Sequence, residues 1–99
     1  MNSIHVADWK THGKMALAIM SLFVKHKVTF DFGLWCPEVW KWKGETTCDD
    51  ARFHVTMEAQ ALQAWQDDTP FRRALLKWAD DNGYWWEQGY HWSIHLYKK

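Results

Sequence analysis

The chain is short of the residues that carry chemistry on their own. Its 99 residues include two cysteines, two prolines and five glycines, and lysine plus arginine balance aspartate plus glutamate at 12 each. Two cysteines cannot make the dense disulfide framework of small secreted scaffolds, so a hydrophobic core has to hold the fold. The balanced charge excludes an acidic mimic of nucleic acid. It also excludes binding to nucleic acid by bulk charge, while leaving room for a local basic patch. No run approaches the roughly 20 apolar residues of a membrane span. The opening stretch MNSIHVADWK has no cationic head followed by an apolar run, so no export signal is read there. The expected setting is the cytoplasm, with no membrane partner and with Cys36 and Cys48 as free thiols.

What is present is an ordinary globular composition with one outlier. Hydrophobic residues are 47% and charged residues 24%, which argues for a folded chain, and the length fits a single domain over 1–99. The outlier is tryptophan, with nine copies. Side chains that large fill a small core quickly, and the remainder must end near the surface.

Hydrophobic spacing orders the elements. SIHVADW reads as a short edge strand or an extended arm. THGKMALAIMSLFVKHK has Met15, Ile19, Leu22 and Phe23 at helical spacing, widened by Ala16, Met20 and Val24, with Thr11 or Asp8 at its start. VTFDFGLW alternates, placing Val28, Phe30, Phe32 and Leu34 on one face. Cys36-Pro37-Glu38 reads as a turn, and Val39 to Lys43, inside VWKWKG, as a second short strand whose tryptophans point inward. RFHVTME directs Phe53, Val55 and Met57 inward and Arg52, His54, Thr56 and Glu58 outward. AQALQAWQ favours helix. DDTPFRRALLKWADDNG has a cap at Asp68 or Thr69, proline at the first helical position and a stripe of Phe71, Ala74, Leu75 and Trp78, closed by Asn82-Gly83. YWWEQGYHWSIHLY supplies one or two further strands, with a turn or bulge at Gln88-Gly89. The expected fold is α+β: a single antiparallel sheet of four or five strands with two main helices on one face, ferredoxin-like topology being possible.

No combination of residues forces a reaction. Cys36, Cys48, His91 and His95 lack the spacing of a zinc site, and two histidines four apart on a strand stand about 13 Å from one another. Asp49-Asp50, Asp67-Asp68 and Asp80-Asp81 fall at turns and helix ends, where aspartate caps. A Cys36–His dyad has no specific signature. The reading is therefore no enzyme, no catalytic residue, no metal and no cofactor.

The tryptophans carry the functional expectation. Neighbouring residues on a strand face opposite ways, so one of Trp85 and Trp86 must leave the core face. With Trp35 and Tyr97 it would line the second face of the sheet, a surface that needs a cover or a partner. The expected function is a small non-enzymatic protein-binding module. Its narrower form is an inhibitor of a larger enzyme or complex that acts by occlusion, of the phage or mobile-element anti-defence type. Trp40, Trp42, Trp85 and Trp86 are its anchors, and Lys41, Lys43 and Arg52 its steering charges. A single-stranded nucleic-acid-binding domain, stacking bases on tryptophan and holding phosphates with lysine and arginine, is the alternative. A homodimer burying the aromatic face is a further possibility.

Overall fold

The computed structural model describes residues 2–99. Among them, five strands form one sheet and four helices pack against it, an α+β fold. The order along the chain is β1 (Ser3–His5), α1 (Trp9–Lys25), β2 (Phe32–Trp35), α2 (Pro37–Trp42), β3 (Phe53–Met57), α3 (Ala59–Gln66), α4 (Pro70–Asp81), β4 (Tyr84–Gln88) and β5 (Ser93–Lys98).

The strands lie in the order β1-β2-β3-β5-β4. The expectation of an antiparallel sheet needs one correction, because β1 pairs parallel with β2. Parallel neighbours need a crossover, and α1 provides it. The other three pairings are antiparallel. The ferredoxin-like topology allowed by the element order is not confirmed by this pairing, in which β1 occupies an edge.

Register divides the side chains into two layers. Leu34 opposes Val55, and Val55 opposes Ile94, so these stand in one row on the core face with Phe32, Phe53, Met57 and Leu96 beside them. Helix α1 seats Ala16, Ile19 and Phe23 on that face, and α4 seats Phe71, Leu75 and Ala79. The Phe23 ring lies 4.2 Å from that of Phe32 and meets Phe71 edge-on at 4.8 Å, joining both helices to the sheet. Helix α3 adds Ala61 and Trp65.

Local signals explain the helix ends. The Asp8 carboxylate accepts the N–H groups of Lys10 and Thr11, so Asp8 is the cap of α1 and Thr11 lies in its first turn. Thr69 caps α4 by accepting from the Arg72 N–H at 3.1 Å, with Pro70 at the first helical position.

Two segments depart from the alternation. Strand β2 begins only at Phe32, because Asp31 takes a left-handed conformation (φ 68°) that breaks the extended run. Val28 is buried but Phe30 is 60% exposed. On α1, Val24 lies on the exposed side of the stripe rather than within it. The larger correction is at Val39–Lys43. The expected strand is helix α2, opened by Cys36 as cap and Pro37 at its start, with Glu38 in the first turn.

Candidate functional site

Helix geometry changes what VWKWKG does. Residues two apart on a helix point about 200° apart, not to the same side. Trp40 is accordingly 0% exposed and Trp42 is 71% exposed. Trp40 lies on the second face of the sheet, the face carrying Trp35, His54, Thr56, Ser93 and His95. Its indole stacks on His54 at 4.5 Å with the planes 6° apart, and meets His95 edge-on at 5.3 Å and Trp35 at 6.4 Å. The indole N–H donates to the Thr47 carbonyl at 3.0 Å, which fixes the loop that follows α2. The Thr47 hydroxyl donates in turn to the Tyr90 hydroxyl in the β4–β5 turn at 2.8 Å. Helix α2 and its loop therefore cover the second face where it carries His54 and His95.

Beneath Trp40 lies a buried histidine pair. His54 and His95 oppose each other in the β3–β5 register, with their Nδ1 atoms 2.8 Å apart, and both are fully buried. One nitrogen donates and the other accepts. His95 Nε2 is 2.9 Å from the Ser93 hydroxyl, which already accepts the Tyr90 N–H. His54 Nε2 has no hydrogen-bond partner among the described residues. A proton on that nitrogen would be an orphaned buried donor costing about 1–3 kcal/mol. The favoured arrangement places His54's proton on Nδ1, donating to His95 Nδ1, while His95 Nε2–H donates to Ser93. Burial lowers the pKa of His54 to about 3, with the charge of His95 adding to it, and burial lowers that of His95 to about 4. Both rings are neutral at physiological pH. Sequence alternation assigned His54 to the outward face correctly, but did not show that α2 would enclose it.

Gly89 belongs to this arrangement. A Cβ there would overlap His95 Nε2, which Ser93 holds in place. Gly89→Ala is expected to lower stability by about 1–3 kcal/mol, read as a shift of the urea midpoint with unchanged slope. An unshifted midpoint would show that the His95 ring is free to move. Gly33 plays the same part toward Trp35: a Cβ would stand 2.7 Å from both Trp35 Nε1 and Thr56 Oγ1. The absent Cβ lets the indole lean across the strand and donate to the Thr56 hydroxyl at 3.0 Å.

The proposed anchor residues are dispersed. Trp40 is enclosed and serves the fold, so it offers no contact surface. Trp86 stands on the core face, partly buried, and its N–H donates to the Leu75 carbonyl of α4 at 3.0 Å. Trp85 is 41% exposed on the second face of edge strand β4, stacked on Tyr97 at 5.0 Å. Trp42 is the most exposed large apolar residue described. Lys41 is exposed beside it. Lys43 is engaged, its ammonium 4.3 Å from the Trp35 ring centre and 4.9 Å from that of Trp40. Arg52 is exposed at the entry to β3. Lys43 also borders an open groove of about 620 Å³, whose wall includes Gly33, Trp35, Thr56, Glu58 and Trp92.

Further features had no signal in the spacing of the sequence. Leu17 and Val24, about two turns apart on the same side of α1, are 57% and 56% exposed. His12, Cys36 and Glu38 converge between α1 and the start of α2, with His12 Nε2 2.9 Å from Glu38 Oε1. The hydrogen bond from His12 holds the Glu38 carboxyl below its usual range. The residues considered together for a metal, Cys36, Cys48, His91 and His95, do not form such a group; Cys36 and Cys48 are both free thiols. Among the described residues no helix is long and apolar enough to cross a membrane. No protein-family model, curated protein or solved structure matches the chain.

Proposed function

We propose that the chain is a non-enzymatic protein-binding module that docks a larger partner through the outer side of α2. The observation that carries this reading is Trp42, 71% exposed on a helix whose opposite side is locked down by Trp40. A rigidly presented tryptophan loses little conformational freedom on binding, and tryptophan is the residue type most enriched among interface hot spots. Lys41 flanks it as a rim charge, and Lys43 leads from it to the groove beside Trp35. Trp85 and Arg52, also exposed, are further candidates for partner contact. Occlusion of an enzyme or complex, as an anti-defence inhibitor would act, is the narrower form of this proposal, and the cytoplasm its proposed setting. The nucleic-acid alternative is less well supported, because Lys43 is held over two rings and the chain has no net charge.

The test is capture of partners from lysate by the tagged parent and by Trp42→Ala, after nuclease treatment and in high salt. The proposal expects a protein retained by the parent, and a loss of at least about 2 kcal/mol, roughly thirtyfold in Kd, for Trp42→Ala. Leu17→Ser, on the far apolar stripe of α1, should leave capture unchanged. A partner lost with nuclease or steeply with salt would favour nucleic acid. Equal capture by Trp42→Ala and loss by Leu17→Ser would move the interface to α1.

A further inference from the structure

The geometry points to a binding site for a zinc-class divalent cation formed by His12, Cys36 and Glu38, with one position left for water. The three residues are distant in sequence and come from two places: the first turns of α1, and the junction where β2 ends and α2 begins. Each offers one donor atom, and the three atoms all lie within 4.8 Å of one another. Tetrahedral zinc with nitrogen, sulfur and oxygen donors needs ligand separations of roughly 3.3–3.7 Å, from bond lengths near 2.0–2.3 Å. Small side-chain movements meet that requirement. Among the described residues this is the one group of three or more histidine, cysteine, aspartate or glutamate side chains with such spacing.

The ion pair joins His12 to Glu38, and the Cys36 thiol is a second hydrogen-bonding neighbour of the same carboxyl. Cys36 is the cap residue of α2, yet its side chain makes no capping hydrogen bond. Its sulfur instead turns toward the other two and accepts the Ala7 N–H at 3.3 Å. That hydrogen bond orients the sulfur, as second partners of metal ligands do. The Cys36 N–H donates to the His5 carbonyl at 3.0 Å, so β1 holds its backbone and the segment that follows β1 holds its sulfur. Asp8, the nearest acid in the chain to His12, is occupied by the α1 cap and the Thr11 hydroxyl.

The chemistry of the donors chooses the ligand. Thiolate and carboxylate contribute two negative charges and neutral imidazole none, so a divalent cation gives a neutral site. The mixture of soft sulfur, imidazole and one carboxylate suits zinc and its spectroscopic substitute cobalt better than calcium or magnesium, which take oxygen. Binding requires the Cys36 thiol to release its proton to solvent, and His12 to carry its proton on Nδ1 so that Nε2 can coordinate. Affinity therefore falls as pH falls. The same triad does not serve as a nucleophile for a bulky substrate, because Cys36 is fully buried. An ion reaches it past Glu38, which is exposed.

The experiment is titration of the reduced, purified chain with cobalt(II) alone, followed by zinc competition. The expected result is a thiolate-to-cobalt charge-transfer band that saturates at one ion per chain and disappears when zinc is added. Cys36→Ser should abolish the band and Cys48→Ser should retain it. Glu38→Gln, at an exposed position that leaves the fold intact, should weaken cobalt binding by at least about tenfold. Zinc should also raise the unfolding midpoint of the parent, and raise that of Glu38→Gln less at the same zinc concentration. Absence of the band in the parent overturns the site, as does a band that follows Cys48 or an unchanged affinity in Glu38→Gln. These readouts involve no protein partner, so they stand or fall separately from the docking proposal.

Discussion

Trp40→Ala is expected to remove about 3–5 kcal/mol of folding stability, the range for truncating a large buried aromatic. For a domain whose total stability is about 5–15 kcal/mol, that is a large share, and the melting temperature should fall by more than about 10 °C. Several losses coincide at this position. The stack on His54 and the edge contacts to His95 and Trp35 disappear together. The anchor of the following loop through Thr47 goes with them. Water also reaches a histidine pair whose hydrogen bonds are arranged for a dry site. Trp40→Phe should recover part of the loss, keeping a ring but not the N–H. Trp42→Ala, two residues on, should stay within about 0.5 kcal/mol of the parent. Urea unfolding followed by circular dichroism reads all three. Similar losses for Trp40→Ala and Trp42→Ala would contradict the helical assignment of α2.

Acid should destabilise the protein well before its carboxylates protonate. His54 and His95 have folded pKa values of about 3 and about 4, against an ordinary value of 6.5. Below pH 6.5 the unfolded chain binds protons that the folded chain refuses, so unfolding is favoured as pH falls. Their stabilising contribution is complete above about pH 6.5 and is lost through the window down to about pH 4 and then 3. Two groups in this regime set a slope of up to about 2.7 kcal/mol per pH unit, and about 2–4 kcal/mol should be lost between pH 7.5 and 5. The surroundings give little relief. Trp40 and Ser93 are neutral, Lys43 adds positive charge above Trp40, and Glu87, opposite His95 on β4, is exposed to solvent. Urea midpoints at pH 7.5, 6 and 5, with imidazole resonances followed by NMR, provide the check. A flat profile to pH 5, or rings that titrate near 6.5 in the folded state, would contradict the sealed pair.

What the sequence shows and what it hides both follow from the range of the signal. Strand β3 is legible because Phe53, Val55 and Met57 alternate without interruption, and α4 because its cap, proline, stripe and closing glycine agree with one another. Helix α2 is hidden because Trp40 and Trp42, two apart, imitate strand alternation over a stretch too short for helical periodicity to declare itself. The local start signals were nevertheless present, with Pro37 at the first position and Glu38 in the first turn. That one element had consequences elsewhere. With α2 read as a strand, the polar face of β3 and β5 had no visible cover, and His54 and His95 appeared solvated. The surplus of tryptophan was read as an exposed aromatic face, whereas Trp35 and Trp40 build a second, smaller core. Sequence distance hides the rest. Nothing local connects His12 with Cys36, and only the crossover through α1 brings them together. For the proposed docking surface, the sequence offered Trp42, Trp85, Lys41 and Arg52 as candidates alongside Trp40 and gave no means of separating the exposed ones from the enclosed Trp40.

The opposite orientation of Trp40 and Trp42 underlies both the enclosed histidine pair and the proposed docking surface, and hydrogen exchange of the indole N–H groups tests it most directly. Trp40 donates to the Thr47 carbonyl from a fully buried position, whereas Trp42 is 71% exposed. The account predicts slow exchange for the Trp40 indole and exchange near the rate of free indole for Trp42. Equal rates at the two positions would contradict it.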